Sequence, residues 1–293
     1  MENVGNAMGA YRAEHSGVRE TAAGSSFRTG FGTRHVPYGP LPRQRLDIYR
    51  PKGGYTKAVI LYLYGGGWVS GARWYYRLFG RMMAARGYAV VVPDYHLYPN
   101  ARYPAFVEDA ALAFKWTHDH AAQLGGSSAR LFVMGHSAGA HISALLALDP
   151  RHLARHGLKP SHIRGVVGLA GPYTLDPMKW KGLKDMFALS VAEPHAARPI
   201  KLARAGAPPM LLLHGERDRI VGSHASVNLA GALDGAGSKA EAKVYPRIGH
   251  FEIFAAYLWG WRWRASVLKD TEAFIAAQLG ARAPQLTAPT ESA

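Results

Sequence analysis

The chain has 293 residues, 48% of them hydrophobic and 19% charged, with a formal charge of +15 and no cysteine. That composition excludes a disordered chain, a disulfide framework and any thiolate metal site, and no apolar run approaches transmembrane length. The lysines and arginines are scattered and form no basic block, so the charge is read as a solvated surface. No nucleic-acid partner and no stable membrane insertion are expected. Residues 1–10 include Glu2 and lack a basic start followed by an apolar stretch. No secretory signal is expected, and the cytoplasm is the default location.

Residues 1–32, rich in Gly, Ala, Ser and Arg, are expected to form a weakly structured arm with a short helix near 11–22. Residues 45–49 alternate polar and apolar side chains, and Pro51-Lys52-Gly53-Gly54 makes a turn, which suggests an early edge hairpin. Residues 58–64 (AVILYLY) form a buried strand that runs into Gly65-Gly66-Gly67. Residues 74–86 have helical spacing and stop at Gly87. A second buried strand follows at 89–93, and further strands at 130–135, 165–170, 210–215 and 242–245. Helices are expected at 107–124, 138–148, 227–233 and 266–278. Strands alternating with helices predict an α/β fold, a mostly parallel sheet with helices on both faces, whose chemistry sits beyond the carboxyl ends of the strands. Residues 171–209 break the alternation with several prolines and are expected to form a lid or cap over that edge. The tail, 283–293, is polar and expected to be disordered, leaving one domain over 33–282.

Gly135-His136-Ser137-Ala138-Gly139 matches G-x-S-x-G between a strand and a helix, the context in which a sharp turn lifts a serine hydroxyl above the sheet. Small flanking residues let the backbone pass, and the helix start aims N–H groups at developing negative charge. With Tyr64-Gly65-Gly66-Gly67-Trp68, Asp94-Tyr95, His214-Gly215-Glu216-Arg217-Asp218 and Gly249-His250, the chain from about Tyr38 to about Gln278 resembles an α/β-hydrolase. More narrowly it is similar to carboxylesterases of the hormone-sensitive-lipase-like group and to arylformamidase and prenylcysteine-methylesterase-like proteins.

The resemblance implies an oxyanion hole made by the N–H groups of Gly66, Gly67 and Ala138, each donor worth about 3 kcal/mol of barrier. Those families carry a histidine before the glycines; here Tyr64 stands in its place, which predicts an altered loop geometry. Chain order in this fold is Ser, then Asp or Glu, then His. Of fourteen histidines, that order leaves His250, after a strand and Gly249, as the base. His141 is read as a helix residue, His152, His156 and His162 as surface residues, and His214 as shaping the site. Asp218, in the loop after the strand at 210–215, is the acid that orients the base, with Glu216 as its neighbouring competitor.

The pairs His118/His120 and His152/His156 lack the carboxylate or thiol that completes a metalloprotease motif, so no metal is expected. Neither G-x-G-x-x-G nor a P-loop is present, and no cofactor is expected. Trp68, Trp180, Met186 and Phe187 either line an apolar substrate pocket or pack in the core. Residues 257–264 (YLWGWRWR) alternate aromatic and basic side chains and serve as packing, a pocket wall, a homodimer surface or a lipid contact. The expected chemistry is hydrolysis of small to medium apolar or aromatic esters through a Ser-His-Asp triad. The alternatives are an amidase such as an arylformamidase acting on N-formylkynurenine, and a non-catalytic ligand-binding protein on the same fold.

Overall fold

A computed structural model describes residues 32–280 apart from 181, 189–191 and 194. The arm expected before residue 32 and the tail expected after 282 lie outside the described residues. Eight strands form one sheet: β1 (Thr33–Pro37), β2 (Arg45–Tyr49), β3 (Ala58–Leu63), β4 (Tyr88–Pro93), β5 (Leu131–His136), β6 (Gly165–Leu169), β7 (Met210–Gly215) and β8 (Ala240–Tyr245). Their order is β1-β2-β4-β3-β5-β6-β7-β8. β1 and β2 run antiparallel, β2 runs antiparallel to β4, and every pair from β4 to β8 is parallel.

The seven α-helices among the described residues are α1 (Arg77–Ala85), α2 (Ala105–Asp119), α3 (Ala138–Leu148), α4 (Pro150–Ala154), α5 (His224–Gly235), α6 (Glu252–Ala255) and α7 (Val267–Gly280). One face of the sheet is covered by α2, α3, α4 and α5, the other by α1, α6 and α7. Covering both faces explains why β3, β4, β5 and β7 are buried at every position and read as continuous apolar runs. The edge strand β8 instead exposes Glu241 and Val244, and its charges discourage pairing with another sheet.

Several boundaries differ from expectation for identifiable reasons. The hairpin exists, but it turns between 37 and 45 and not at Pro51, and β1 is the edge strand while β2 lies inside the sheet. The helix expected at 74–86 opens as a 3-10 turn (Arg73–Tyr76), because the Arg73 backbone N–H is held by Asp94 Oδ1 at 2.8 Å. The helix expected to reach 124 ends at Asp119. Bonds from Leu124 N to the His120 carbonyl (3.0 Å) and from Gly126 N to the Ala121 carbonyl (3.0 Å) turn the chain back, with Gly125 at φ 81°.

The sheet order positions the chemistry. The chain leaves β3 for β4 on one side, then crosses to β5 on the other side of β3. A crevice therefore opens beyond the carboxyl ends of β3 and β5, where the triglycine loop and Ser137 emerge side by side. Residues 171–209 contain no strand among the described residues, and only short 3-10 turns such as Pro177–Lys179 and Pro199–Leu202. They are pinned to the body by His141 Nε2 on the Ala197 carbonyl (2.9 Å), Tyr103 N on the Met186 carbonyl (2.8 Å) and Tyr103 Oη on the Ala196 carbonyl (3.0 Å).

Candidate active site

Ser137 forms the turn between β5 and α3 with φ 52° and ψ −119°, a conformation that a non-glycine residue adopts only under constraint. The constraint is close backbone passage. A Cβ on Gly139 would collide with the Leu63 carbonyl of β3, and one on Gly135 would collide with the Gly139 backbone. Ser137 N–H donates to the Leu169 carbonyl at 2.8 Å, which ties the turn to β6.

The structure brings together the three residues picked by chain order. His250 Nε2 lies 2.9 Å from Ser137 Oγ, and His250 Nδ1 lies 2.6 Å from Asp218 Oδ2. Asp218 is acceptor-only when ionised, so Nδ1 carries the proton and Nε2 is left to accept from the serine hydroxyl. Asp218 Oδ1 accepts the backbone N–H groups of Ile220 (2.9 Å) and Val221 (2.8 Å), which aims Oδ2 at the histidine. Burial of Asp218 would raise its pKa, but hydrogen bonds from His214, His250 and the Val221 N–H outweigh it and hold the carboxyl well below the usual range. Arg217 and Arg219 face solvent, and Glu216 is turned away, accepting from Arg247 N at 3.1 Å.

His214 is fully buried at the end of β7. Its Nδ1 meets Ser226 Oγ at 2.8 Å, and its Nε2 reaches the Val221 carbonyl at 2.9 Å and Asp218 Oδ2 at 3.2 Å. These bonds fix the loop that carries Asp218. The loop that carries His250 has its own supports. Gly249 N–H donates to Glu252 Oε2 at 2.7 Å, and His136 Nε2 donates to the His250 carbonyl at 2.8 Å. Burial and the neighbouring His250 push the pKa of His136 down to about 4, so it is a neutral donor near pH 7. Sequence reasoning assigned His136 no role. Its position directly before Ser137 was the available signal.

The triglycine loop is braced from below. Gly66 has φ 133° and packs so tightly on the Ser70 backbone that no side chain fits; Gly67 and Trp68 have φ 61° and 62°. Among the described residues none of the N–H groups of Gly66, Gly67 and Ala138 donates to a backbone carbonyl outside helix or strand pairing, and Ala138 is the first residue of α3, where N–H groups lack intrahelical acceptors. Tyr64 is fully buried and stacks on Tyr95 (4.5 Å, 23°) and Tyr76 (5.7 Å, 11°). Its hydroxyl donates to Asp94 Oδ1 at 3.0 Å and accepts from Arg43 Nη2 at 3.2 Å, while Arg43 also donates to the carbonyls of Gly71 (3.0 Å) and Tyr95 (2.6 Å). Burial and then Asp94 push the tyrosine pKa far up, so it stays a neutral donor. Asp94 is in turn paired with Arg73.

Of the four expected pocket residues, Trp68 and Phe187 are in contact. Trp68 packs edge-on against Phe187 (5.3 Å, 89°) and His141 (5.2 Å, 84°), and Met186 and Phe187 are the buried residues of the insertion's inner side. Trp180 is 57% exposed, and among the described residues no ring contact joins it to that cluster. His152 is a correction: expected on the surface, it is buried, because Asp149 caps α4 at Arg151 N (3.0 Å) and the short helix turns the ring inward. Among the described residues, no three or more His, Cys, Asp or Glu side chains are grouped to hold a metal ion. Among them, too, no helix is long and apolar enough to cross a membrane.

The family model BD-FAE matches residues 46–233. The chain belongs to the BD-FAE family. The BD-FAE match runs from β2 into α5, including Ser137 and Asp218 and ending before His250. This BD-FAE chain is 32% identical to a probable isoprenylcysteine alpha-carbonyl methylesterase of Oryza sativa subsp. japonica, over 75% of the chain and 58% of the relative. It is 32% identical to esterase LipC of Mycobacterium tuberculosis, over 64% of the chain and 51% of the relative. The chain thus spans a little over half the length of these curated relatives. Among solved structures it is similar to the apo form of Thermogutta terrifontis esterase 2, with a TM-score of 0.72 and 24% identity over 88% of the chain and 98% of that structure. A truncated carbohydrate esterase from gut microbiota gives a TM-score of 0.70 with 22% identity over 87% of the chain and 98% of that structure. The fold is that of an α/β-hydrolase.

Proposed function

We propose that this chain is a serine carboxylic-ester hydrolase that works through an acyl-enzyme on small to medium apolar or aromatic esters. The observation that carries the reading is the continuous hydrogen-bonded line from Ser137 Oγ through His250 to Asp218, at 2.9 and 2.6 Å. His250 Nε2 takes the hydroxyl proton as Ser137 attacks the ester carbonyl, and Asp218 stabilises the imidazolium that forms. The N–H groups of Gly66, Gly67 and Ala138 hold the oxyanion. The imidazolium then protonates the leaving alcohol. Water repeats the sequence on the acyl-enzyme, returning the proton to Ser137. Trp68, backed by Phe187, forms an apolar wall of the substrate site. The names of the relatives, esterases and methylesterases, support the same chemistry.

The test is a panel of short p-nitrophenyl esters, N-formylkynurenine and an isoprenylcysteine methyl ester, with wild type beside Ser137→Ala. Ester turnover by wild type and a loss of roughly 10⁴- to 10⁶-fold in Ser137→Ala is expected. Equal rates for the two proteins would exclude the nucleophile. Turnover of the formamide alone would replace the esterase with an amidase.

A further inference from the structure

We propose that the face built by α1, α6 and the 3-10 segment Trp259–Arg264 docks on an anionic lipid surface, with the mouth of the candidate active site at its rim. Three observations carry this. Trp74, Tyr75, Leu78, Phe251 and Trp263 are 60%, 61%, 62%, 69% and 83% exposed, far more apolar area than a solvated helix face needs to leave in water. These residues share one region of the molecule. Phe254 of α6 packs on Tyr76 (5.3 Å) and on Phe79 of α1 (5.4 Å), Tyr257 also packs on Phe79 (5.4 Å), and Trp259–Arg264 follows directly.

The charge on this face is predominantly positive, Glu252 being the single acidic residue in its three elements. No Asp or Glu occurs from residue 48 to 93 or from 253 to 269, whereas Arg77, Arg81, Arg262 and Arg264 lie in those stretches. Arg77 and Arg81 are exposed, and the Arg264 guanidinium lies 5.3 Å and 5.8 Å from the rings of Trp261 and Trp263. Glu252 Oε1 lies 3.6 Å from Arg264, and its Oε2 accepts from Gly249 N. Exposed indole rings beside arginines suit the boundary between headgroups and acyl chains, and each arginine near such a surface strengthens binding by roughly five-fold. A soluble polyanion would use the arginines and leave the aromatic side chains without a partner, so the lipid surface is the better fit. Phe251 connects the face to the chemistry, its ring lying 5.2 Å from that of His250.

The test is cosedimentation of the purified chain with phosphatidylcholine vesicles, with and without phosphatidylserine, at low and high salt. Wild type should partition onto the phosphatidylserine vesicles and be released by salt. Both Trp261→Ser/Trp263→Ser and Arg77→Ser/Arg81→Ser should lower that partitioning by more than about ten-fold. Each should keep wild-type turnover of a short soluble ester, which shows that the variants fold. Absence of vesicle binding overturns the proposal, as does equal binding to neutral vesicles or equal binding by the variants. A wild-type dimer that Trp261→Ser/Trp263→Ser splits would assign the face to a second copy of the chain and overturn it as well. Vesicle binding is measured without substrate, so its outcome is independent of the proposed hydrolysis.

Discussion

Ser137 is held at φ 52° by backbone that no larger neighbour would allow, and His250 beside it hangs from a loop fixed at two points. His136 supplies one of them, donating from Nε2 to the His250 carbonyl, and His136→Phe removes that donor while keeping a ring. One neutral hydrogen bond is worth about 0.5–1.5 kcal/mol, so kcat should fall about three- to ten-fold with KM nearly unchanged, and His136→Gln should recover part of the loss. Steady-state kinetics decide it; an unchanged kcat, or a loss confined to KM, would remove the bracing role. Tyr64 gives a second case. Tyr64→Phe keeps the stacking on Tyr95 but leaves Asp94 without the phenol donor, and chemical denaturation should show a loss of about 1–3 kcal/mol. The phenol spans from the triglycine loop to Asp94 and Arg43, a distance that the shorter imidazole would not cover. Tyr64→His should therefore lower turnover, and a rise would mean that the tyrosine weakens the loop.

At the scale of elements, the candidate site was legible where strand, turn and helix follow one another in sequence. G-x-S-x-G after an apolar run, and Asp218 and His250 at later strand ends, needed only local pattern and chain order. The partners of Tyr64 and of His136 were not legible, because those bonds join residues 30 and 114 positions apart. β1 was missed because its sequence, TRHVP, is short, polar and at an edge, where burial imposes no alternation. The insertion was recognisable as a break in rhythm, but its attachment was not. Its outer side is clamped by Asp185, which accepts from Tyr98 Oη (2.8 Å) and from Arg102 Nη2 (2.8 Å) and Nε (3.2 Å). These groups are exposed, so the clamp contributes little globally, about 0–1 kcal/mol. Asp185→Asn should speed hydrogen exchange and proteolysis within residues 171–209 while shifting the denaturation midpoint hardly at all; unchanged local exchange would mean that the buried contacts of Met186 and Phe187 hold the segment alone.

The whole molecule should be labile to acid well above the carboxylate range. His136, His141 and His152 are buried, and burial is the first cause that lowers each pKa from 6.5 to about 4. An unfolded chain protonates these rings near pH 6.5, while the folded protein resists until about pH 4. The unfolded state therefore binds more protons across that window, and stability falls as pH drops through it. Below it the depressed carboxyl of Asp218 adds to the loss, since the unfolded carboxyl protonates first. Between pH 7 and 5 the three rings together should cost on the order of 5 kcal/mol, measured as the urea midpoint against pH. His152 isolates the effect. Neither ring nitrogen has a hydrogen-bond partner, and the nearest carboxylate, Asp149 Oδ2, is 3.8 Å from Nε2. His152→Leu keeps most of the volume, relieves two unpaired buried polar atoms and removes one titrating ring. It should raise stability at pH 7 by about 1 kcal/mol and take away roughly a third of the loss between pH 7 and 5. A variant with the wild-type pH slope would show that His152 is not among the groups that make the fold acid-labile.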